Sequence, residues 1–430
     1  MSEQQQPNAL PGQGAALAEP PARNPERVRD PRLDFFRGIC MFIILLAHTP
    51  GNPWTLWIPA RFGYSDATEI FVFCSGMASA IAFGKVFDNA GWFLGAARVA
   101  YRVWQVYWAH IALFFIIAAM LVVMNEMALV EKDQVGRLNL YPFFNNPMPQ
   151  IVGLFTLTYV PNYFDILPMY LVILCLLPVV MLLSRMHVAL VLAFVSGLYA
   201  LAHFQMLQLP AEPWSDREWF FNPFAWQLVF FTGYAFMRGW IPAPPIDYRL
   251  VILAAVIVLA AVPTAYFRVY RLDFVIFGAD LLEWRRSLKP VINKTDFGLF
   301  RYIHFLALAY LAYAAVGEGG RRLMGSGIKA KVIAVIRKVG QQSLAVFLLS
   351  MVLGRVGGFA FDYLGKDWYT VIAVNLTGFG LLIITAYLVG WFKGQPWRKP
   401  KAPKPTPAEP VTSTSSSASM PPMQGGVPAR

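Results

Sequence analysis

The sequence predicts an all-α polytopic membrane protein, a transmembrane bundle of about ten helices with both termini in the cytoplasm. Three observations lead there. Apolar residues make up 57% of the 430 residues and charged residues only 14%, well below the roughly 25% of a soluble domain. Thirteen tryptophans and 34 phenylalanines raise the aromatic share to 15%, more apolar surface than a water-soluble fold of this length could hide, so lipid must cover part of it. The apolar residues also gather into stretches near the roughly 20 residues that cross a bilayer, and the charges divide unequally between the loops.

In chain order, residues 1–33 are rich in Pro, Ala, Gln and Arg. They lack an apolar core and read as a disordered cytoplasmic tail, not a cleavable signal peptide. A single membrane domain over 34–393 follows, with apolar stretches near 36–57, 67–84, 103–124, 166–184, 188–204, 224–240, 249–267, 301–316, 342–361 and 370–392. Pro50 and Pro53 should break the first stretch just after His48. Two longer connections, near 125–165 and 268–300, fall on the external side. The second carries Arg285, Arg286, Lys289 and Lys294 beside Asp280, Glu283 and Asp296, and is either a solvated loop or a cap over an external vestibule. Residues 394–430, rich in Pro, Ser and Lys, read as a second disordered cytoplasmic tail.

With ten spans, the side bearing the termini holds 23 basic and 9 acidic residues, and the opposite side 13 and 15. The net charge of +12 is therefore +14 against −2, and the positive-inside rule places both termini in the cytoplasm. The excess charge is a topology signal and calls for no nucleic-acid partner. Cys40, Cys74 and Cys175 lie within apolar runs and read as small buried hydrophobes, with no disulfide framework and no metal centre.

Charged groups inside a bilayer are costly and mark candidate sites. In RLDFFRGICMFIILLAHTPGN, Arg37 and His48 are eleven residues apart. On a helix they fall within about 20° of one face and about 16 Å apart along the axis. Asp34 lies close to the same line. One stripe thus carries a guanidinium at the cytoplasmic mouth, suited to an anionic donor, and an imidazole near mid-membrane, suited to taking a proton from a hydroxyl. The bland alternative is a snorkelling arginine and a histidine bonded to a neighbouring helix.

In RFGYSDATEIFVFCSGMASA, Asp66 and Glu69 have capping-box spacing, or one of them orients the His48 imidazole as a supporting acid does for a catalytic histidine. Ser75–Ala78 supplies small residues for close helix packing. Arg98 and Arg102 share a face before the third span and either clamp donor phosphates or anchor the helix end; His110 reads as a packed core histidine. At the external mouth stand Tyr163, Asp165 and Tyr170, then Asp296, Arg301 and His304, all candidates for the acceptor. Trp54, Trp57, Trp214, Trp219 and Trp226 form an interfacial belt or a sugar-stacking surface. No GxSxG, HExxH, Walker or Rossmann pattern occurs, so direct transfer with a histidine base fits better than a covalent intermediate.

The blocks DFFRGICMFIILLAHTPGN and FGYSDATEIFVFCSGMASA, followed by YFDILPMYLVIL and WFFNPFAWQLVFFTGYAF, resemble the OpgC family, which succinylates osmoregulated periplasmic glucans. The resemblance spans roughly 31–393. This family looks like a branch of the wider membrane acyltransferase-three superfamily, which carries an arginine, ten residues and a histidine in its first helix, matched here by Arg37 and His48. Its arginine pair before the third helix is matched most closely by Arg98 and Arg102, at a wider spacing.

The resemblance implies a multi-pass bacterial inner-membrane enzyme that moves succinyl from cytoplasmic succinyl-coenzyme A to glucose hydroxyls of a periplasmic glucan. His48 would be the base, Asp66 or Glu69 its orienter, and Arg37, Arg98 and Arg102 the donor contacts. Asp165, Tyr170 and His304 would meet the acceptor, Arg301 and Arg355, both near the external ends of helices, are the candidate partners of a succinyl carboxylate, and no permanently bound cofactor is implied. The rival reading is a glycan or lipid-linked sugar transporter or flippase without acyl transfer.

Overall fold

The computed structural model describes residues 30–272, 275–276 and 279–398; the two tails assigned from sequence lie mostly outside them. Where the described residues reach into the tails, Pro31–Leu33 are already helical and Gly394 is the last helical residue. The fold is all-helical, apart from one two-residue-per-strand hairpin pairing Val275–Ile276 with Ala279–Asp280.

Eleven principal helices carry the architecture. They are α1 (Pro31–His48), α2 (Ala67–Ser79), α3 (Lys85–Glu126), α4 (Ile166–Met186), α5 (Val188–His203) and α6 (Pro223–Arg238), then α7 (Tyr248–Ala265), α8 (Leu299–Val316), α9 (Gly327–Gln341), α10 (Ser343–Leu364) and α11 (Trp368–Gly394). Each of the ten apolar stretches contains one of them; α9 is the addition. Its sequence GIKAKVIAVIRKVGQ is amphipathic, with Ile328 and Val332 exposed, and so escapes a search for apolar runs.

Among the described residues, six continuous helical segments are long and apolar enough to cross a membrane: Ala67–Glu126, α4, α7, α8, α10 and α11. The first covers two predicted stretches, because a π-turn at Ala80–Gly84 continues α2 into α3, which runs with one bend at Gly91, whose φ is +84°, through the connection expected over 85–102. The remaining three stretches fall short for physical reasons. α1 carries Arg32, Asp34 and Arg37 within 18 residues, and α5 and α6 have 16 residues each. The protein is a multi-pass membrane protein.

Local chemistry sets the ends. Asp30 caps α1 and Pro31 opens it. After His48, Thr49 leaves the helical region and the chain passes into a short turn capped by Asn52 at Pro53–Trp57, as Pro50 and Pro53 require. Asp66 and Glu69 close both halves of a capping box on α2.

Three crossings bring backbones into contact through glycine. A Cβ on Gly38 or Gly340 would strike the facing backbone of α9 or α1, and one on Gly76 or Gly233 would strike α6 or α2. Gly76 thus packs as its small-residue neighbourhood predicts. On α10, Gly354, Gly357 and Gly358 lie against His48, Thr49 and Pro50 in turn. Buried Asn52 and Asn375 of α11 exchange hydrogen bonds of 2.7 and 3.2 Å. The end of α1 is therefore held from two sides.

By packing, residues through Gly390 form one compact unit. The second begins at Trp391, and within its described residues Trp391, Phe392 and Trp397 form an aromatic cluster.

Candidate active site

His48 is the last residue of α1. Its Nδ1 lies 2.8 Å from the carbonyl oxygen of Ile44, one turn back. A carbonyl can only accept, so Nδ1 carries the hydrogen, and the lone pair of the neutral ring sits on Nε2. The ring is half-buried and meets Tyr163 edge to face at 5.3 Å.

A cavity of about 500 Å³ opens beside it, lined among others by His48, Asp66, Tyr163, Asp165, Phe221 and Lys294. Three sequence-nominated regions, the end of α1, the start of α2 and the turn before α4, thus meet at one space. The charged connection over 268–300 adds Lys294 to the cavity lining.

The carboxylates do not orient the imidazole. Asp66 pairs with Lys294 at 2.5 Å and accepts from the Thr68 amide at 2.7 Å. Glu69, fully buried, accepts from Arg301 at 2.5 and 2.8 Å and from the Asp66 amide at 2.8 Å. Each is engaged by a cation and by the α2 cap. Orientation comes from the Ile44 carbonyl, a bond within the helix that spacing between motifs could not reveal.

The other nominated residues divide. Asp165 stands just before α4 and faces the cavity; its Oδ1 has no hydrogen-bond partner, and burial pushes its carboxyl up to about 7. Tyr170 instead packs on Phe230 at 6.1 Å in the helix core and does not line the cavity. His304 hydrogen-bonds Ser65 at 2.7 Å and fills the space over Gly63, behind the loop that leads to Asp66. His110 is fully buried, as a packed core histidine should be.

Arg37 shares the α1 helix with His48, as the eleven-residue stripe requires, and donates to the hydroxyl of Ser343 at the start of α10. Arg98 and Arg102 lie on α3, against Tyr101 at 5.9 Å and Gln105 at 3.2 Å. Neither lines the cavity. Of the five tryptophans, Trp226 and Trp219 are buried and donate to the Lys294 and Pro210 carbonyls at 2.9 Å each, while Trp57 and Trp214 are exposed.

Sequence reasoning named Arg355 on α10 but missed the glycine contacts that this helix makes with the end of α1. Their signal was present in LGRVGG, a small-residue run inside a predicted span, of the kind that admits close helix approach. Ser343 meets Arg37, and Gly354, eleven residues later, meets the His48 backbone, so α1 and α10 run side by side in the same register.

No curated protein and no solved structure matches this chain. The family model described as OpgC protein matches residues 29–394, nearly the whole of the described structure and every element around the cavity. On that match the chain belongs to the OpgC family.

Proposed function

We propose that this protein is a membrane O-acyltransferase that moves a succinyl group from cytoplasmic succinyl-coenzyme A to glucose hydroxyls of a periplasmic glucan. In this reading it spans the bacterial inner membrane about ten times, with both termini in the cytoplasm. Family membership supports the acyltransferase class. The observation that carries the mechanism is His48, with Nδ1 tied to Ile44 and its ring on a cavity that Asp66, Asp165 and Lys294 also line.

A glucan hydroxyl enters from the external side and is held by Asp165, whose Oδ1 is unpartnered. Its oxygen attacks the thioester carbonyl carbon while its proton passes to His48 Nε2. Collapse of the tetrahedral intermediate breaks the carbon–sulfur bond. The departing thiolate takes the proton from the imidazolium, which leaves an ester, free coenzyme A thiol and a neutral base. Arg37, with Arg98 and Arg102 further along the cytoplasmic side, meets the anionic donor. Asp66 and Glu69 act as supports of the cavity wall, not as partners of the imidazole.

General-base help of this kind contributes about 10²–10⁴ in rate. His48→Ala should lower turnover of purified protein by that factor with its melting temperature unchanged. Glucans from cells carrying only the variant should lack the acyl mass shift. Near-normal turnover of folded His48→Ala would remove His48 from the chemistry. Glucan absent from the periplasm of deletion cells would favour transport instead.

A further inference from the structure

Arg355 follows Gly354, the α10 residue packed on the His48 backbone. It is 5% exposed, deep in a helix that is itself apolar enough to cross a membrane. Its Nε has no hydrogen-bond partner, its Nη2 reaches only Gln134 Oε1 at 3.5 Å, and its guanidinium carbon lies 5.7 Å over the Tyr163 ring. Among the described residues no carboxylate forms an ion pair with it. Asp362, two turns further along α10, is held by Lys132 and by Arg137 at 2.9 Å. A buried guanidinium without an anion is expensive to keep, and the arrangement calls for an anionic ligand.

The Tyr163 ring measures how far away that ligand's other end would react. Its centroid is 5.3 Å from the His48 ring and 5.7 Å from the Arg355 guanidinium carbon, so the two groups are no more than about 11 Å apart. A hydroxyl bonded to the imidazole sits about 3 Å from it, and the carbonyl carbon it attacks about 3 Å further. Three carbon–carbon bonds then carry a four-carbon acyl group about 4 Å to its distal carboxylate. With a carboxylate–guanidinium contact added, a bent chain of that length reaches both ends. The hydroxyl of Tyr163 donates to the Met351 carbonyl at 2.6 Å, which anchors the ring that lies between the cavity and Arg355.

We propose that Arg355 is the specificity-determining residue for the acyl group, binding the distal carboxylate of a four-carbon dicarboxylic thioester beside the Tyr163 ring. This rests on the transferase reading above. It gives that reading a reason, within this chain, to prefer succinyl over a neutral acyl group.

The test compares purified wild type and Arg355→Gln with succinyl-CoA and with butyryl-CoA, a neutral donor of the same carbon length, on unsubstituted glucan. The succinyl-to-butyryl ratio of kcat/KM should fall about tenfold or more in the variant, mainly through KM for succinyl-CoA, and Arg355→Lys should recover part of it. Equal loss on both donors at an unchanged melting temperature would make Arg355 a prop for Tyr163 and overturn the proposal. Should the variants fail to fold, wild type decides: a preference of about tenfold for succinyl-CoA supports it, and no preference overturns it. Wild type that transfers neither group defeats the transferase reading itself, whereas succinyl transfer indifferent to Arg355 defeats only this inference.

Discussion

His48 stands between two walls that handle charge in opposite ways. On the α2 side, Asp66 meets Lys294 and Glu69 meets Arg301, and the capping box uses the same carboxylates for the helix end. Charges there are matched within the protein. On the α10 side, three glycines bring the backbone against His48–Pro50, and Arg355 is buried with no carboxylate ion-paired to it among the described residues. Both walls carry a buried arginine. The difference teaches that a buried cation serves the fold where its anion comes from the same chain, and serves binding where the anion must arrive from outside.

The largest effect that would sharpen this contrast is at Glu69. Glu69→Gln leaves Arg301 buried with its main anion removed and should cost about 3–5 kcal/mol of stability, read as a lowered melting temperature in detergent. The double change Glu69→Leu with Arg301→Met should recover most of it. A single variant as stable as wild type would dissolve the distinction between the walls.

Next comes Gly354. A Cβ there would sit 2.7 Å from the His48 carbonyl oxygen, so Gly354→Ala should destabilise by about 1–3 kcal/mol and lower turnover with succinyl and butyryl donors alike. Gly357→Ala, whose Cβ would meet side-chain methyls of Thr49 at 3.0 Å and Val374 at 3.3 Å and no backbone, should be milder. Equal effects at the two positions would mean that the His48 backbone is not the sensitive contact.

An effect of another kind, seen only along the pH axis, is expected at Asp165, which belongs to neither wall. Burial raises its carboxyl from 3.8 to about 7, so the folded protein holds that proton over a range in which the unfolded chain has lost it. The neutral group therefore favours folding below about pH 4, and this contribution fades as pH rises through about 7. Asp165→Asn should flatten that part of the stability–pH curve; an identical curve would place the titration elsewhere.

Much of the fold was legible because lipid imposes a simple code. Each of the ten apolar stretches is helical, and the break after His48 follows directly from Pro50 and Pro53. The amphipathic α9 was not legible, since its apolar residues are interleaved with lysines at a helical period. Nor was the continuous α2–α3 segment, because a single bend at Gly91 replaces a loop of ordinary composition. Around the cavity, the shared helix of Arg37 and His48 was readable from spacing, and the places of Asp66 and Asp165 at helix starts from the local sequence. Tyr170 was misplaced because one helical step turns a side chain from the mouth into the core. The orienting bond to Ile44 and the ion pairs of Lys294 and Arg301 depend on contacts that no local pattern encodes.

The shared register of α1 and α10 has a mechanical consequence. Arg37 touches Ser343 near the start of both helices, and His48 touches Gly354 eleven residues on in each, so the pair behaves as a two-railed strut fastened at two points. A slide of α10 by one turn, about 5.4 Å, would unfasten both at once. Arg37 and His48 lie about 16 Å apart along the helix, and along this strut neither can shift without moving the other.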